Sequence, residues 1–429
     1  MIRSAEGSSI LEHLPGNFRK TKTSPLLFLC RGFLALTLSI LLLSPVYANE
    51  DDKPVTISPS LYKRLTKVEK LISKKSYQQA EQKLKGILTD VKQGSYEQAA
   101  VLRSLSSVYA LKGQYNKAAG FLSQAIALNV LPKNQHQHAI LNLGQLYMAQ
   151  EQYSKAVKTL EPWLAKNPDP DLQIHVLLAN AYAQLKHYRK ALPHIKKAIA
   201  KSKKPEESWY QLNLALYFEL ENYSSAAGVL KTLIRLYPDK KSYWNQLSSV
   251  YQQLKQYKKA VSIKHLAYKK GFIDTEKDML ELANLFLYIG SPYKAAKLLK
   301  NGLEHKKIKP TSKNWENLAN AWTMAKEFDN AIIALEKASK LNDKGSLSQQ
   351  LGQIYVEQEQ WNLATIALQK AINKGGLRNT GATYLLLGMS HYELNNTQQA
   401  KKNFLKAAQY SKNKKAAMQW LNYISESKT

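Results

Sequence analysis

The chain has 429 residues, 62 of them Lys or Arg against 32 Asp or Glu, for a formal net charge of +30. With 44% hydrophobic residues and one cysteine, Cys30, it is neither a disordered polyelectrolyte nor a disulfide-stapled scaffold. A basic excess of this size points in general to nucleic acid, an anionic membrane surface or acidic protein segments.

The first element in chain order is a targeting segment. Arg19, Lys20, Lys22 and Arg31 precede a run from Gly32 to Leu43 that is apolar apart from Thr37 and Ser39, and Pro45-Val46-Tyr47-Ala48 follows. A basic flank, a short apolar run and a small-residue cleavage site predict a secretory signal peptide over residues 1–48, cut after Ala48. At about a dozen residues the run is short for a bilayer span, so an uncleaved inner-membrane anchor is the alternative. The stretch ahead of the apolar run is longer than usual, and a start downstream of Met1 is compatible with it. Cys30 lies before the apolar run, so an exported chain would carry no thiol. Residues 49–58, with Asp51, Asp52 and Pro54, read as a flexible leader.

From Pro59 onward the chain repeats. Ala80, Ala118, Ala156, Ala191, Ala226, Ala260, Ala295, Ala331, Ala364 and Ala400 recur at intervals of 33 to 38 residues. In eight copies an aromatic stands three residues earlier: Tyr77, Tyr115, Tyr153, Tyr188, Tyr223, Tyr257, Phe328 and Trp361. Within one copy, Trp244, Leu247, Val250, Tyr251 and Leu254 follow helical spacing, and after Gln256-Tyr257 a second stripe runs through Ala260, Ile263, Leu266 and Ala267. Each copy is thus predicted to be two antiparallel helices joined by a tight turn, with the alanine allowing close approach. Three departures are expected to distort copies without breaking the array: Lys264 at an apolar position, and Pro292 and Thr397 at the turn aromatic. Ala416, Trp420, Tyr423 and Ile424 form a last stripe, predicted to cap the array, which spans residues 59–425.

This pattern resembles the tetratricopeptide repeat, most clearly in Ile140, Leu143, Gly144, Tyr147, Ala156 and Leu160, in Trp315, Leu318, Ala319, Trp322, Ala331, Leu335 and Ala338, and in Leu351, Gly352, Tyr355, Ala364, Leu368 and Ala371. The fold implied is an all-α, right-handed superhelical solenoid of about ten hairpins with a C-terminal capping helix.

Sites for chemistry are missing from the sequence. It has no glycine-rich phosphate loop, nucleophile elbow or zinc-protease helix, and its one close histidine pair, His136 and His138, lacks a neighbouring carboxylate. A binding protein without catalytic residues, cofactor or metal is the expectation. Counting eleven back from each anchor alanine from Ala118 onward gives Ser107, Gln145, Asn180, Ala215, Ser249, Asn284, Asn320, Gln353 and Met389, predicted to face inward on the first helices. An amide both donates and accepts, so Gln145, Asn180, Asn284, Asn320 and Gln353 form a row suited to the backbone of an extended peptide. Arg103, Lys277 and Lys313 stand near that row and would favour acidic side chains or a terminal carboxylate. The aromatics fall on core positions instead of between exposed lysines, which argues against nucleic acid; peripheral contact with an anionic membrane surface stays open.

Further stretches resemble a group of exported tetratricopeptide proteins of Gram-negative bacteria described as candidate components of TonB systems. They are Leu61-Tyr62-Lys63-Arg64-Leu65, Trp209-Tyr210-Gln211-Leu212, Tyr217-Phe218-Glu219-Leu220, Pro292-Tyr293-Lys294-Ala295-Ala296, Gly375-Gly376-Leu377, Leu385-Leu386-Leu387-Gly388-Met389 and Gln419-Trp420-Leu421-Asn422-Tyr423-Ile424. The resemblance implies a periplasmic accessory to TonB-dependent uptake and carries no agreed binding residues. The alternatives from the residues themselves are a scaffold for peptidoglycan or outer-membrane assembly and a basic membrane-surface binder.

Overall fold

Helical spacing of apolar residues with one small residue per copy leads to paired helices, and pairs are what the computed structural model contains. It describes residues 56–167, 170–342 and 344–426. The predicted signal peptide and most of the leader lie outside the described residues. Among the described residues there are 21 helices and no strand, so the chain is the all-α repeat its periodicity predicts.

Two compact units divide the chain between Pro238 and Asp239. In the first, α1 (Pro59–Ser73) pairs with α2 (Tyr77–Asp90), α3 (Tyr96–Leu111) with α4 (Tyr115–Ala127), α5 (Lys133–Ala149) with α6 (Tyr153–Lys166), α7 (Leu172–Gln184) with α8 (Tyr188–Lys201), and α9 (Glu207–Glu219) with α10 (Tyr223–Leu236). The second pairs α11 (Lys241–Gln253) with α12 (Tyr257–Lys269), α13 (Glu276–Tyr288) with α14 (Pro292–Glu304), α15 (Ser312–Met324) with α16 (Phe328–Leu341), α17 (Gly345–Glu357) with α18 (Trp361–Lys374), and α19 (Thr380–Glu393) with α20 (Thr397–Ala408). A final helix, α21 (Ser411–Glu426), packs on α20 and α19.

Each anchor alanine is the fourth residue of a second helix, and all ten have 0% exposure. Small residues also occur on the first-helix side of the seam. In three copies it carries glycine: a Cβ on Gly144 would lie 3.1 Å from Leu160 Cδ1, on Gly352 2.5 Å from Leu368 Cγ, and on Gly388 2.7 Å from Phe404 Cε1. The backbones approach so closely there that the larger partner occupies the space of a methyl group. Each fully buried leucine in this seam contributes about 2 kcal/mol.

The turns inside the hairpins share one device. Five residues before every anchor alanine the backbone is left-handed: Lys75, Gly113, Glu151, Lys186, Glu221, Lys255, Gly290, Lys326, Glu359 and Asn395 all have positive φ. At Gly113 the amide bonds to Ala110 O and the next amide, of Gln114, reaches back to Tyr109 O. This Schellman pattern satisfies the last carbonyls of the first helix and reverses the chain. The turn aromatics then sit half-buried at the first position of each second helix.

Two expected stripes shift. On α12 the buried residues are Ala260, Val261, Lys264 and Ala267, while Leu266 is 49% exposed. Six residues beyond the anchor is a helical rotation of about 240°, which points Leu266 away from the seam, whereas i+4 brings Lys264 into it. Lys264 is accommodated because its Nζ lies 2.6 Å from Glu281 Oε2 on α13. On α21 the buried positions are Ala417 and Ile424, Trp420 stacks on Phe404 with centroids 5.4 Å apart, and Tyr423 is exposed.

Candidate face of the first helices

The inward positions predicted from the repeat divide between the two units. In the first unit, Gln145 on α5 and Asn180 on α7 are half-buried. Asn180 Nδ2 already donates to Val176 O at 3.0 Å, one turn back on its own helix, and Ala215 on α9, 3% exposed, interrupts the row. Neighbouring positions on these helices are largely apolar, with Met148, Leu177 and Phe218 half-buried.

Arg103 is engaged between hairpins. Its Nη1 donates to Gln135 Oε1 at 2.5 Å, and Gln135 Nε2 donates to the Tyr96 hydroxyl at 2.8 Å. Burial lowers the Arg103 pKa from its ordinary value, with no carboxylate among the causes offsetting it. The guanidinium therefore ties α3 to the start of α5, and this side-chain pairing was not legible in the repeat spacing.

In the second unit the same register position is half-buried at Ser249 and Met389 and open on the three first helices between them. Asn284 on α13, Asn320 on α15 and Gln353 on α17 are all exposed, on three successive first helices. The amides extend beyond the row that the spacing singled out. Asn317 adjoins Asn320, Gln349 and Gln350 adjoin Gln353, and α11 adds Asn245, Gln246, Gln252 and Gln253. A local network fixes part of this surface: Gln350 Nε2 donates to Glu316 Oε1 at 3.2 Å, and Lys313 Nζ lies 3.4 Å from Glu316 Oε2. Gln349 Nε2 donates to Thr383 Oγ1 at 2.9 Å, linking α17 to α19. Asn245 Oδ1 is buried without a partner among the described residues.

The charge of these helices differs from the expected preference for acidic segments. The five first helices of the second unit carry Lys241, Lys277 and Lys313 against Glu276, Asp278, Glu281, Glu316, Glu357 and Glu393. Lys277 is exposed, and Lys313 is shared with Glu316. A row of amides in a mildly acidic setting suits a neutral or basic extended chain better than an acidic one. Among the described residues no group of three or more His, Cys, Asp or Glu is arranged to hold a metal ion.

Tetratricopeptide repeat family models match residues 109–181 and, separately, residues 172–200, 242–263 and 382–420. Each of these segments resembles a tetratricopeptide repeat, and the helical hairpin they contain recurs through both units. Similar solved structures include the MamA protein, 20% identical over 39% of this chain and 90% of that one with a TM-score of 0.35. A tetratricopeptide repeat protein from Parabacteroides merdae ATCC 43184 is 17% identical over 57% of this chain and 93% of that one, with a TM-score of 0.35. YrrB, described as a tetratricopeptide repeat protein with an unusual peptide-binding site, is 12% identical over 46% of this chain and all of its own, with a TM-score of 0.36. No curated protein matches the sequence.

Proposed function

We propose that the chain is a non-catalytic scaffold that holds an extended protein segment along the first helices of its second unit. The observation that carries this reading is the exposed succession Asn284, Asn320 and Gln353 at one register position of α13, α15 and α17. Helices in consecutive hairpins offer these amides side by side, and a peptide backbone lying across them presents alternating N–H and C=O groups to match. Gln145, Asn180 and Arg103 make a separate candidate surface on the first unit, where Arg103 acts through Gln135 unless a ligand carboxylate displaces that bond.

The pathway and compartment are part of the proposal too. The basic and apolar N-terminal segment supports export to the periplasm, and the resemblance to exported repeat proteins of the TonB group supports an accessory role in TonB-dependent uptake. A photo-crosslinking residue at Asn320, expressed in intact cells, tests both. Adducts with TonB-system proteins are expected; adducts with wall-synthesis enzymes or outer-membrane insertion factors would move the scaffold to envelope assembly. Changing Asn284, Asn320 and Gln353 together to Ala should reduce recovery of the partner about tenfold while the helical content is kept. Undiminished recovery would remove the amide row from the proposal.

A further inference from the structure

In the first unit charge is sorted between the two ranks of helices. The second helices α2, α4, α6, α8 and α10 carry 13 basic and 3 acidic side chains. The first helices carry 6 and 4, and four of those six basic residues lie on α1. The sorting is sharpest in the middle: α6, α8 and α10 present ten Lys or Arg, every one exposed, against Glu161 alone. That carboxylate accepts the Tyr182 hydroxyl and keeps its charge, so ten cations against one anion leave +9 over the three helices. Between Asp171 and Glu206 the sequence has no acidic residue and eight basic ones, all of them exposed.

Solvation alone asks only that surface charge be mixed and not exactly balanced. Confining the excess to one rank costs self-repulsion, and that cost is relieved when a partner supplies the opposite charge. The geometry narrows the partner. Over the 14 residues of α8 a helix extends about 21 Å. Neighbouring second helices on either side widen the array to about 20 Å across, so the field is two-dimensional and not a single line along a groove. The exposed positions of α8 other than its cations include Pro193 and Ala200, which have no large apolar or aromatic group to offer. Across the described residues of the unit the exposed large apolar side chains are Tyr62 and Leu236. Stacking of bases, which single-stranded nucleic acid uses, has no exposed aromatic platform on these three helices, and Leu236 at the end of α10 is a single apolar side chain, too little to anchor the face by insertion between acyl chains.

We propose that the outer face of α6, α8 and α10 docks on an anionic phospholipid surface, held by charge and without insertion. Arg189, Lys190, Lys196 and Lys197 form the centre of the contact. This face is separate from the first-helix surface above, and either assignment stands if the other fails.

The test is amine footprinting of the full chain, read by mass spectrometry. Vesicles of phosphatidylcholine alone are compared with vesicles containing ~30 mol% phosphatidylglycerol, at about 50 and about 300 mM NaCl. Labelling of Lys190, Lys196 and Lys197 is expected to fall about threefold or more on the anionic vesicles at low salt and to recover at high salt, while Lys297 and Lys402 of the second unit change little. The residue-resolved readout separates this contact from any made by the apolar N-terminal segment. The variant R189Q/K190Q/K196Q/K197Q should lose the protection of Lys155 and Lys158, and circular dichroism establishes that it is folded. Equal protection in both units, no protection at all, or stronger protection of the same lysines by an oligonucleotide or polyglutamate at matched charge would each overturn the proposal.

Discussion

Lys264 Nζ lies 2.6 Å from Glu281 Oε2, and the lysine side chain is only 4% exposed. The pair joins the second helix of one hairpin to the first helix of the next, at a position where other copies place an apolar residue: Leu160, Ile195, Leu230, Leu299, Leu335 and Leu368 stand at the same spacing from their anchors. Glu281 keeps 24% side-chain exposure, so it tolerates isolation better than Lys264 does. Glu281→Ala should therefore cost about 3 kcal/mol, because it leaves a buried ammonium without a counter-charge. The double variant Lys264→Met with Glu281→Gln should recover most of that loss, since a flexible apolar chain fills the seam without desolvation. Urea unfolding of the three proteins checks this; a Glu281→Ala cost below about 0.5 kcal/mol, the size of an exposed pair, would show that the pair does not hold the seam.

The hairpin turns make a second prediction. Lys255 and Glu359 adopt φ of 57° each, and Gly290 stands at 73° in the equivalent position. A side chain in the left-handed region costs roughly 1–2 kcal/mol, partly offset by the greater chain entropy that glycine loses on folding. Lys255→Gly and Glu359→Gly should each raise stability by about 0.5 kcal/mol, and Gly290→Ala should lower it by about 1 kcal/mol. Thermal unfolding of the single variants gives the sign; a loss on Lys255→Gly would mean that the lysine stem contributes more than its backbone costs.

These turns mark the limit of what was legible from residues. The anchor alanines declare themselves because only a small side chain fits where two backbones approach, and their spacing locates every second helix. The left-handed turn residues do not, because Lys, Glu and Asn fill most of them and only Gly113 and Gly290 carry the residue that signals such a turn. The amide row was visible as Asn284, Asn320 and Gln353, since register along a helix is arithmetic. That Asn180 bonds to its own backbone, and that Arg103 reaches Gln135, depends on rotamers and on distances between hairpins, which spacing does not encode. Leu266 was misplaced because an apolar residue invites burial, while the helical angle assigns that position to lysine.

Glycines on the helices separate close approach from open surface. Gly352 faces Leu368, whose Cγ would lie 2.5 Å from an added Cβ, whereas nothing lies within 4 Å of one added to Gly120 on α4. Gly352→Ala should destabilise by about 2 kcal/mol, as α17 and α18 must move apart. Gly120→Ala should stabilise by about 0.5–1 kcal/mol through helix propensity alone. Chemical denaturation of both variants decides it, and equal effects of the same sign would mean that the seam is looser than the structure shows.

Acid should weaken the fourth hairpin first. His175 on α7 and His194 on α8 face each other with Nδ1 atoms 3.0 Å apart, a contact that needs one ring to donate and the other to accept. His175 is 2% exposed and its Nε2 has no partner among the described residues. Burial, followed by the charges of Lys197, His194 and Lys201, pushes its pKa down to about 4, and burial lowers that of His194 as well. A base whose pKa falls on folding binds fewer protons in the native state, so unfolding takes up protons and stability declines as pH drops from about 6.5 toward about 4. The decline attributable to His175 should reach about 3 kcal/mol at the acid end of that window and should be absent above pH about 7. Other copies place Leu102, Ile140, Trp244 and Trp315 at the position of His175, so His175→Leu should fold and flatten the profile. Denaturant unfolding measured across this pH range, with and without the substitution, tests the assignment; identical slopes would place the acid sensitivity elsewhere, His194 being the next group to examine because burial lowers its pKa as well, whereas Glu81, held at about 2 by its bonds to Lys112, Lys85 and Tyr109, loses its contribution only below about pH 4.5.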